Sequence, residues 1–221
     1  MKGAYESFPL GLRLSHAALL RNLGGFITIA DEERSTSPDN FSDFVLLYVA
    51  FLDTHHSGED DFIFPALRRH SAGKSTDAAH LARWSSEHRD VYAAARALER
   101  TARRLEASPR EGFAELRRIS VELKGLLIPH ISSEEQVLTG EHLRAMIPEQ
   151  ELANTQQAIG KKMGARGLQM GAFLAHSLAP GEQHAVFGEA PWIVRKLLLG
   201  FVGERRMARF HSFVFEPSLT L

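Results

Sequence analysis

The sequence predicts an all-α protein, with an up-down-up-down four-helix bundle followed by a C-terminal helical extension. Apolar residues recur at helical spacing along most of the chain, and strand-like alternation is absent. Breaks rich in proline, glycine or serine separate four long segments by short loops, which is typical of an antiparallel bundle. The 221 residues, 44% of them hydrophobic, suffice for one globular domain and part of a second.

Each bundle helix is predicted from its apolar stripe and from the breaks around it. The expected helices cover about residues 9–32, 40–69, 76–106 and 110–138. Pro9 suits the first turn of the first helix. Pro65 should kink the second helix, and Pro129 should bend the fourth beside His130, because proline lacks the amide hydrogen that a helix interior uses.

The chain changes character after about residue 140, where glycines interrupt shorter helical segments. We expect helices at about 148–163, 166–178 and 192–206, a turn at 179–181 and an irregular tail at 211–221. This predicts a bundle that carries the functional site at residues 1–140. Residues 141–221 would form an extension that caps the bundle or forms an interface.

The composition argues against several classes of function. The net charge of −1 gives no indication of a nucleic-acid or anionic membrane partner. The absence of cysteine excludes disulfides, thiol chemistry and Fe–S clusters. No apolar run reaches the length of a membrane helix, and the first residues lack the pattern of a signal peptide. We therefore expect a cytoplasmic protein.

Four histidines fall one on each predicted bundle helix, and two of them are followed by a glutamate at i+4. Positions i and i+4 share a helix face, so each such unit directs an imidazole and a carboxylate the same way. Early positions of helices 1 and 3 lie level with late positions of helices 2 and 4 in an antiparallel bundle. The six residues expected to meet are His16, His55, Glu59, His88, His130 and Glu134.

A metal site explains these residues better than a structural role does. A single histidine on an apolar face is more often a core residue, but buried carboxylates without partners are costly and repel each other. Two cations would remove both problems. Imidazole and carboxylate suit iron or manganese. We expect Glu59 and Glu134 to bridge two metals and the histidines to bind as terminal ligands.

The chain resembles the hemerythrin-like, or HHE cation-binding, family over about residues 9–140. The motifs that carry the resemblance are His16, the run from His55-His56-Ser57-Gly58-Glu59 to Phe64-Pro65, the pair Glu87-His88, and His130-Ile131-Ser132-Ser133-Glu134-Glu135. The resemblance implies a four-helix bundle with a non-haem centre of two Fe ions joined by an oxo or hydroxo bridge. The family includes oxygen carriers, oxygen and iron sensors, and proteins that handle peroxide or nitric oxide.

The chain departs from the oxygen carriers of this family in its ligand pattern. They have a further histidine where this chain has Trp84, and an aspartate at the position of Glu135. Glu134 is favoured as the ligand because i+4 keeps it on the face of His130, and Glu135 stays an alternative. His56 is expected to point about 100° away from His55 and is left out of the site.

The missing histidine opens the site, which favours peroxide reactivity or sensing over reversible oxygen transport. We expect a di-iron protein that binds or reacts with O2, H2O2 or NO, with catalase-like or peroxidase-like activity as one form of that function. The alternatives are a metal-dependent sensing or interaction module and an iron buffer without turnover. Manganese or zinc in place of iron, and a homodimer, also stay open.

Overall fold

The computed structural model describes residues 3–31, 37–70, 75–164, 166–188, 207–208 and 210. All regular secondary structure in these ranges is helical, which confirms the predicted all-α class. The elements are α1 (Ala4–Asp31), α2 (Pro38–Gly58), a π-helical turn (Glu59–Ile63), α3 (Phe64–His70), α4 (Ser75–Ala102), α5 (Pro109–Val137), α6 (Gly140–Met146), α7 (Glu149–Met163), α8 (Arg166–His176) and α9 (Pro180–Phe187). None of the helices described here is long and apolar enough to cross a membrane.

The four longest helices form a closed ring of contacts. Helix α1 packs on α2 and α5, and α4 packs on the same two helices from the other side. Aromatic rings fill the centre between them, where Phe26 makes edge contacts with Phe41, Phe44 and Tyr48. These four side chains are almost fully buried, so the predicted apolar stripes do face one another.

Helix α1 begins at Ala4, five residues before the predicted start, and Pro9 lies inside it. The prediction that Pro9 opens the helix was therefore wrong. Pro9 has no amide hydrogen for the carbonyl of Tyr5, one turn earlier. The first residue of α6, Gly140, lies against that carbonyl, and a Cβ atom on Gly140 would stand 2.4 Å from the Tyr5 oxygen.

The second bundle helix is interrupted by a π-helical turn rather than by a simple kink at Pro65. The amide of Phe64 donates to the carbonyl of Glu59, five residues earlier. An α-helical turn here would set the Pro65 ring against the carbonyl of Asp61, and the wider turn accommodates the ring. The π-helical turn starts at Glu59, so the irregular backbone lies at the predicted site.

The bounds of α4 and α5 agree closely with the sequence prediction, although α4 ends four residues early at Ala102. The extension contains two helices that the sequence analysis missed, α6 and α9. Helix α9 takes the place of the predicted turn at 179–181, with Pro180 in its first turn. The predicted helix at 192–206 and the tail at 211–221 lie outside the described residues.

The extension packs on the ring of four helices. Helix α7 contacts α1, α3 and the π-helical turn, α8 contacts α2, and α9 contacts α1. The ring of Phe173 lies 5.0 Å from that of Phe51 and 5.9 Å from that of Phe44. The guanidinium of Arg21 donates two hydrogen bonds to the carboxylate of Glu182, at 2.5 and 2.7 Å. Apolar and ionic contacts therefore both join the extension to α1 and α2.

Candidate metal centre

The structure brings all six predicted ligand residues into one buried cluster. Their nitrogen and oxygen atoms fall into overlapping groups in which every ligand atom lies within 4.8 Å of the others. The groups are His16, His55 and Glu59; Glu59, His88 and Glu134; and His56, His88 and His130. Of the six predicted ligands, His16 lies on α1, His55 on α2 and Glu59 in the π-helical turn. His88 lies on α4, and His130 and Glu134 lie on α5.

The separations inside the cluster are close to those of atoms that share a metal ion. Glu134 Oε2 lies 3.4 Å from Nε2 of His16 and 3.4 Å from Nε2 of His130. Glu59 Oε1 lies 3.4 Å from Nε2 of His55, and its Oε2 lies 3.6 Å from Nε2 of His88. Two ligand atoms each about 2.1 Å from a common ion lie roughly 3.0–3.4 Å apart at tetrahedral or octahedral angles.

Apart from Nε2 of His88 and of His130, which lie 3.1 Å from each other, the inward polar atoms have no hydrogen-bond partner within the described residues, although they are buried. They are Nε2 of His16 and His55, both ring nitrogens of His56, and both carboxylate oxygens of Glu59 and Glu134. Some of these atoms approach each other or a neighbouring imidazole at 3.4 Å, but without hydrogen-bond geometry. Folded proteins rarely leave buried polar atoms unpaired, and a convergent set of imidazole nitrogens and carboxylate oxygens is a donor set that fits divalent iron or manganese.

Three of the histidines are held from outside by carboxylates. The pairs are His16 Nδ1 with Glu135 Oε1, His88 Nδ1 with Asp60 Oδ2, and His130 Nδ1 with Glu87 Oε2, each at 2.9 Å. A histidine that donates its Nδ1 hydrogen to a carboxylate keeps the lone pair of Nε2 free and directed inward. These contacts are typical of the outer partners that orient metal-binding histidines.

Burial and mutual repulsion govern the protonation of the cluster. Burial, with the charges of Glu134 and Asp60, raises the pKa of Glu59 well above its usual value. Burial and the neighbouring histidines lower the pKa of His55 and of His56 well below the usual value. Without a cation, the cluster therefore favours neutral imidazoles at His55 and His56 and a protonated Glu59, so a metal ion must displace that proton.

His56 lies in the cluster, although the sequence analysis expected its ring to point away from the other histidines. The ring is fully buried, stacks on His88 at a centroid distance of 4.1 Å and meets the ring of His130 at 5.4 Å. The neighbouring His55 ring instead meets His16 at 4.9 Å. Because α2 lies between α1 and α4, adjacent residues on α2 can face different neighbours and still line one site. The adjacent histidine pair was the sequence signal for this.

The two adjacent glutamates of α5 occupy different places. Glu134 is fully buried with both oxygens inside the cluster, whereas the Glu135 side chain is 30% exposed and hydrogen-bonds to the outer nitrogen of His16. Trp84 is buried and donates its ring hydrogen to Ser133 at 3.0 Å. Trp84 therefore belongs to the hydrophobic core beside the cluster.

A family model described as "Hemerythrin HHE cation binding domain" matches residues 11–141, more than half of the chain. The matched range contains all six predicted ligand residues, together with His56 and the three outer carboxylates. No curated protein and no solved structure matches the chain.

Proposed function

Because the chain belongs to the hemerythrin HHE cation-binding family, we propose that it binds two iron ions in the buried cluster and handles O2, H2O2 or NO there. The observation that carries this proposal is the convergence of buried imidazole nitrogens and carboxylate oxygens from four helices, most of them without a hydrogen-bond partner. A cation would bind the carboxylate oxygens and one nitrogen of each imidazole at once, since each of these atoms can present a lone pair.

We assign the ligands from the overlapping groups. His16 and His55 would bind one ion, and His88 and His130 the other. Glu59 belongs to a group on each side, and Glu134 lies equally far from His16 and His130, so both carboxylates are suited to bridge. We infer that Glu135 is an outer partner rather than a ligand.

We further assign His56 as an additional nitrogen ligand beside His88 and His130. Its two ring nitrogens are buried without partners, and it forms a ligand-competent group with those two histidines. His56 would thus supply, from α2, the histidine that the sequence lacks at Trp84 on α4. This fills one position of an octahedral metal and leaves others for an exogenous ligand.

Bound iron would supply the electrons and the open coordination positions for peroxide reduction or for binding a diatomic molecule. The residues of the chain hold this centre in place. The carboxylates of Asp60, Glu87 and Glu135 fix three imidazoles in one tautomer. The apolar side chains around the cluster keep bulk water away from it. This division of roles suits a catalase-like or peroxidase-like activity.

The contact ring of α1, α2, α4 and α5 supports an up-down-up-down four-helix bundle, as the family membership implies. We keep the proposed division into residues 1–140 and 141–221, with the second part acting as a cap. The absence of a strong net charge supports a protein without a nucleic-acid or membrane partner. A cytoplasmic location and a homodimer stay predictions from the sequence.

The first test is metal analysis of the purified protein combined with an absorption spectrum before and after addition of peroxide. About two irons per chain and charge-transfer bands that respond to peroxide are expected for a di-iron centre. Peroxide consumption well above that of free iron would favour an enzyme. A colourless protein without iron would contradict the proposal.

A sensing role is the second candidate, and one contact favours it. Helix α7 packs on the π-helical turn that contains Glu59, and Lys162 of α7 pairs with Asp61 at 2.5 Å. A change in the metal ligands could therefore move the extension and alter a partner surface. Metal-dependent partner binding without turnover would favour this role, and reversible iron exchange without either would favour an iron buffer.

A further inference from the structure

A partly open cavity of about 450 Å³ lies between the helical ring and the extension. Its walls come from α1, α2, the π-helical turn and helices α7, α8 and α9, and apolar side chains form most of them. They include Phe8, Leu12, Phe51, Ile159, Met170 and Leu174. The volume falls in the range of roughly 300–1,000 Å³ that is typical of small-molecule sites.

The cavity ends on the candidate metal centre. His55 and Glu59 both line it, and they are the only ionisable side chains among the described residues of its wall. The His55 side chain is 11% exposed, whereas the other five predicted ligands are at most 4% exposed. The cavity is therefore the side from which a molecule reaches the ligand cluster.

The extension completes this cavity, and glycines keep it open. A Cβ atom placed on Gly11 of α1 or on Gly160 of α7 would meet no heavy atom within 4 Å. Both residues line the cavity. Glycine has a lower helix propensity than alanine or leucine. The two glycines therefore keep the cavity open at some cost in helix stability.

The cavity does not fit hydrogen peroxide or a diatomic gas as its main occupant. Such molecules are about the size of water, whose share of liquid volume is about 30 Å³, so the cavity is roughly an order of magnitude too large. Peroxide also forms hydrogen bonds that apolar walls cannot provide. The size and the walls together indicate an apolar organic molecule.

We propose that this cavity binds a small aliphatic molecule with an oxygen-containing end group. The aliphatic chain of this ligand lies between α1, α2, α7 and α8, and its end group lies beside His55 and Glu59. Binding of the ligand's aliphatic chain in the cavity does not depend on the function proposed above. The placement of the end group does depend on the proposed function, because a bound metal would attract an anionic oxygen to this end of the cavity.

Octanoate and acetate test the proposal on the metal-loaded protein by calorimetric titration. They share an end group and differ in chain length, and each buried methylene should tighten binding by about fourfold. Octanoate is expected to bind at least about a hundredfold more tightly than acetate. Equal affinities for the two would overturn the proposal.

Gly11→Leu fills the cavity from α1 and Gly160→Leu fills it from α7, and either one should weaken octanoate binding by about tenfold or more. Gly24→Leu is the matched control, since Gly24 lies on the same helix as Gly11, also has no heavy atom within 4 Å of its Cβ position, and does not line the cavity. Wild-type affinity in both cavity variants, with circular dichroism confirming the fold, would overturn the proposal.

Two further measurements separate this inference from the proposed function. Octanoate, but not octanol, should shift the absorption bands of the metal-loaded protein if the end group lies at His55 and Glu59. Octanoate binding without a spectral change would overturn that placement. If the protein takes up no metal, the proposed function fails. In that case octanol binding to the metal-free protein still tests whether the cavity binds an aliphatic chain. Binding that is lost in Gly11→Leu would support the apolar site, and absence of binding would overturn it.

Discussion

At the scale of single residues, Glu134 and Glu135 show how neighbours in sequence differ in role. Glu134→Gln keeps the side-chain shape but removes the charge inside the cluster, so we expect loss of at least half of the bound iron. Glu135→Gln leaves the cluster intact and loosens only His16, which should weaken iron binding by about 10–100-fold without changing the stoichiometry. Iron titration followed by metal analysis measures both. Equal losses in the two variants would contradict the assignment.

His56 permits an equally direct test. His56→Phe retains a planar ring in the stack with His88 but removes both nitrogens, and it should weaken binding of the second iron by at least about tenfold and shift the absorption bands. Tyr92→Phe is a suitable control, because that ring lies 6.0 Å from His56 and the change removes no ligand. An unchanged titration and spectrum in His56→Phe would make His56 a packing residue.

The sequence alone was sufficient to predict that the six predicted ligand residues lie together, because their convergence depends on local spacing and on positions at equal depth in antiparallel helices. It failed for His56 because consecutive residues of a helix are rotated by about 100°, and the sequence argument assumed that only one face of each helix contributes to the site. It could not identify Asp60 and Glu87 as outer partners. Their hydrogen bonds to His88 and His130 cross between helices, and residue spacing carries no signal for such contacts.

At the scale of elements, the close contact between α1 and α6 at Gly140 can be tested by substitution. Gly140→Ala would place a Cβ atom 2.4 Å from the backbone oxygen of Tyr5, which cannot move freely. We expect a loss of about 1–3 kcal/mol in the free energy of unfolding, as for other overpacked sites. Gly125→Ala, within α5 and with no heavy atom within 4 Å, should stabilise the protein by up to about 1 kcal/mol. Urea denaturation of both variants measures the difference, and equal effects would contradict the close contact.

The contact between α9 and α1 should depend on pH. Hydrogen bonds from Arg21 lower the pKa of Glu182 below its usual value of 4.5. The folded state thus binds the proton less readily than the unfolded state, so the stabilisation is complete above about pH 5 and is lost as the pH falls through the lowered pKa. Glu182→Gln should cost about 1 kcal/mol at pH 7 and less in acid.

Glu122→Gln provides the matched control for this pH effect. Glu122 pairs with Arg118 on the surface of one helix, where more than half of each side chain is exposed. Exposed pairs of this kind contribute less than about 0.5 kcal/mol. Thermal unfolding of both variants at several pH values measures the contrast. A constant effect of Glu182→Gln across pH would contradict a charged contact between α9 and α1.

The long helices could be predicted from the sequence because their apolar stripes and breaks are local signals. Helices α6 and α9 were missed because they have few residues, and what fixes them is contact with α1 rather than their own periodicity. The π-helical turn was expected only as a kink at Pro65. The proline predicts an irregularity in the helix, but whether this becomes a kink or a π-helical turn depends on the packing around Glu59.

At the scale of the whole molecule, the extension and the four-helix ring share one hydrophobic core. Met170 and Phe173 of α8 belong to the same buried cluster as Phe26 and Phe44 of the ring. A cluster that spans both parts couples their stability, since neither can unfold without exposing apolar surface of the other. The cavity and the metal centre lie along this shared boundary, so their geometry depends on the two parts folding together.

Phe173→Ala tests this coupling. Truncating a fully buried phenylalanine should lower the free energy of unfolding by about 3–5 kcal/mol. If the molecule unfolds as one unit, the variant still shows a single transition at a lower temperature, in which loss of helical signal and iron release coincide. Phe26→Ala, in the centre of the ring, should lower the same transition by a similar amount. Two separate transitions, of which Phe173→Ala lowers only one and leaves iron release unchanged, would instead mean that the extension is an independent cap.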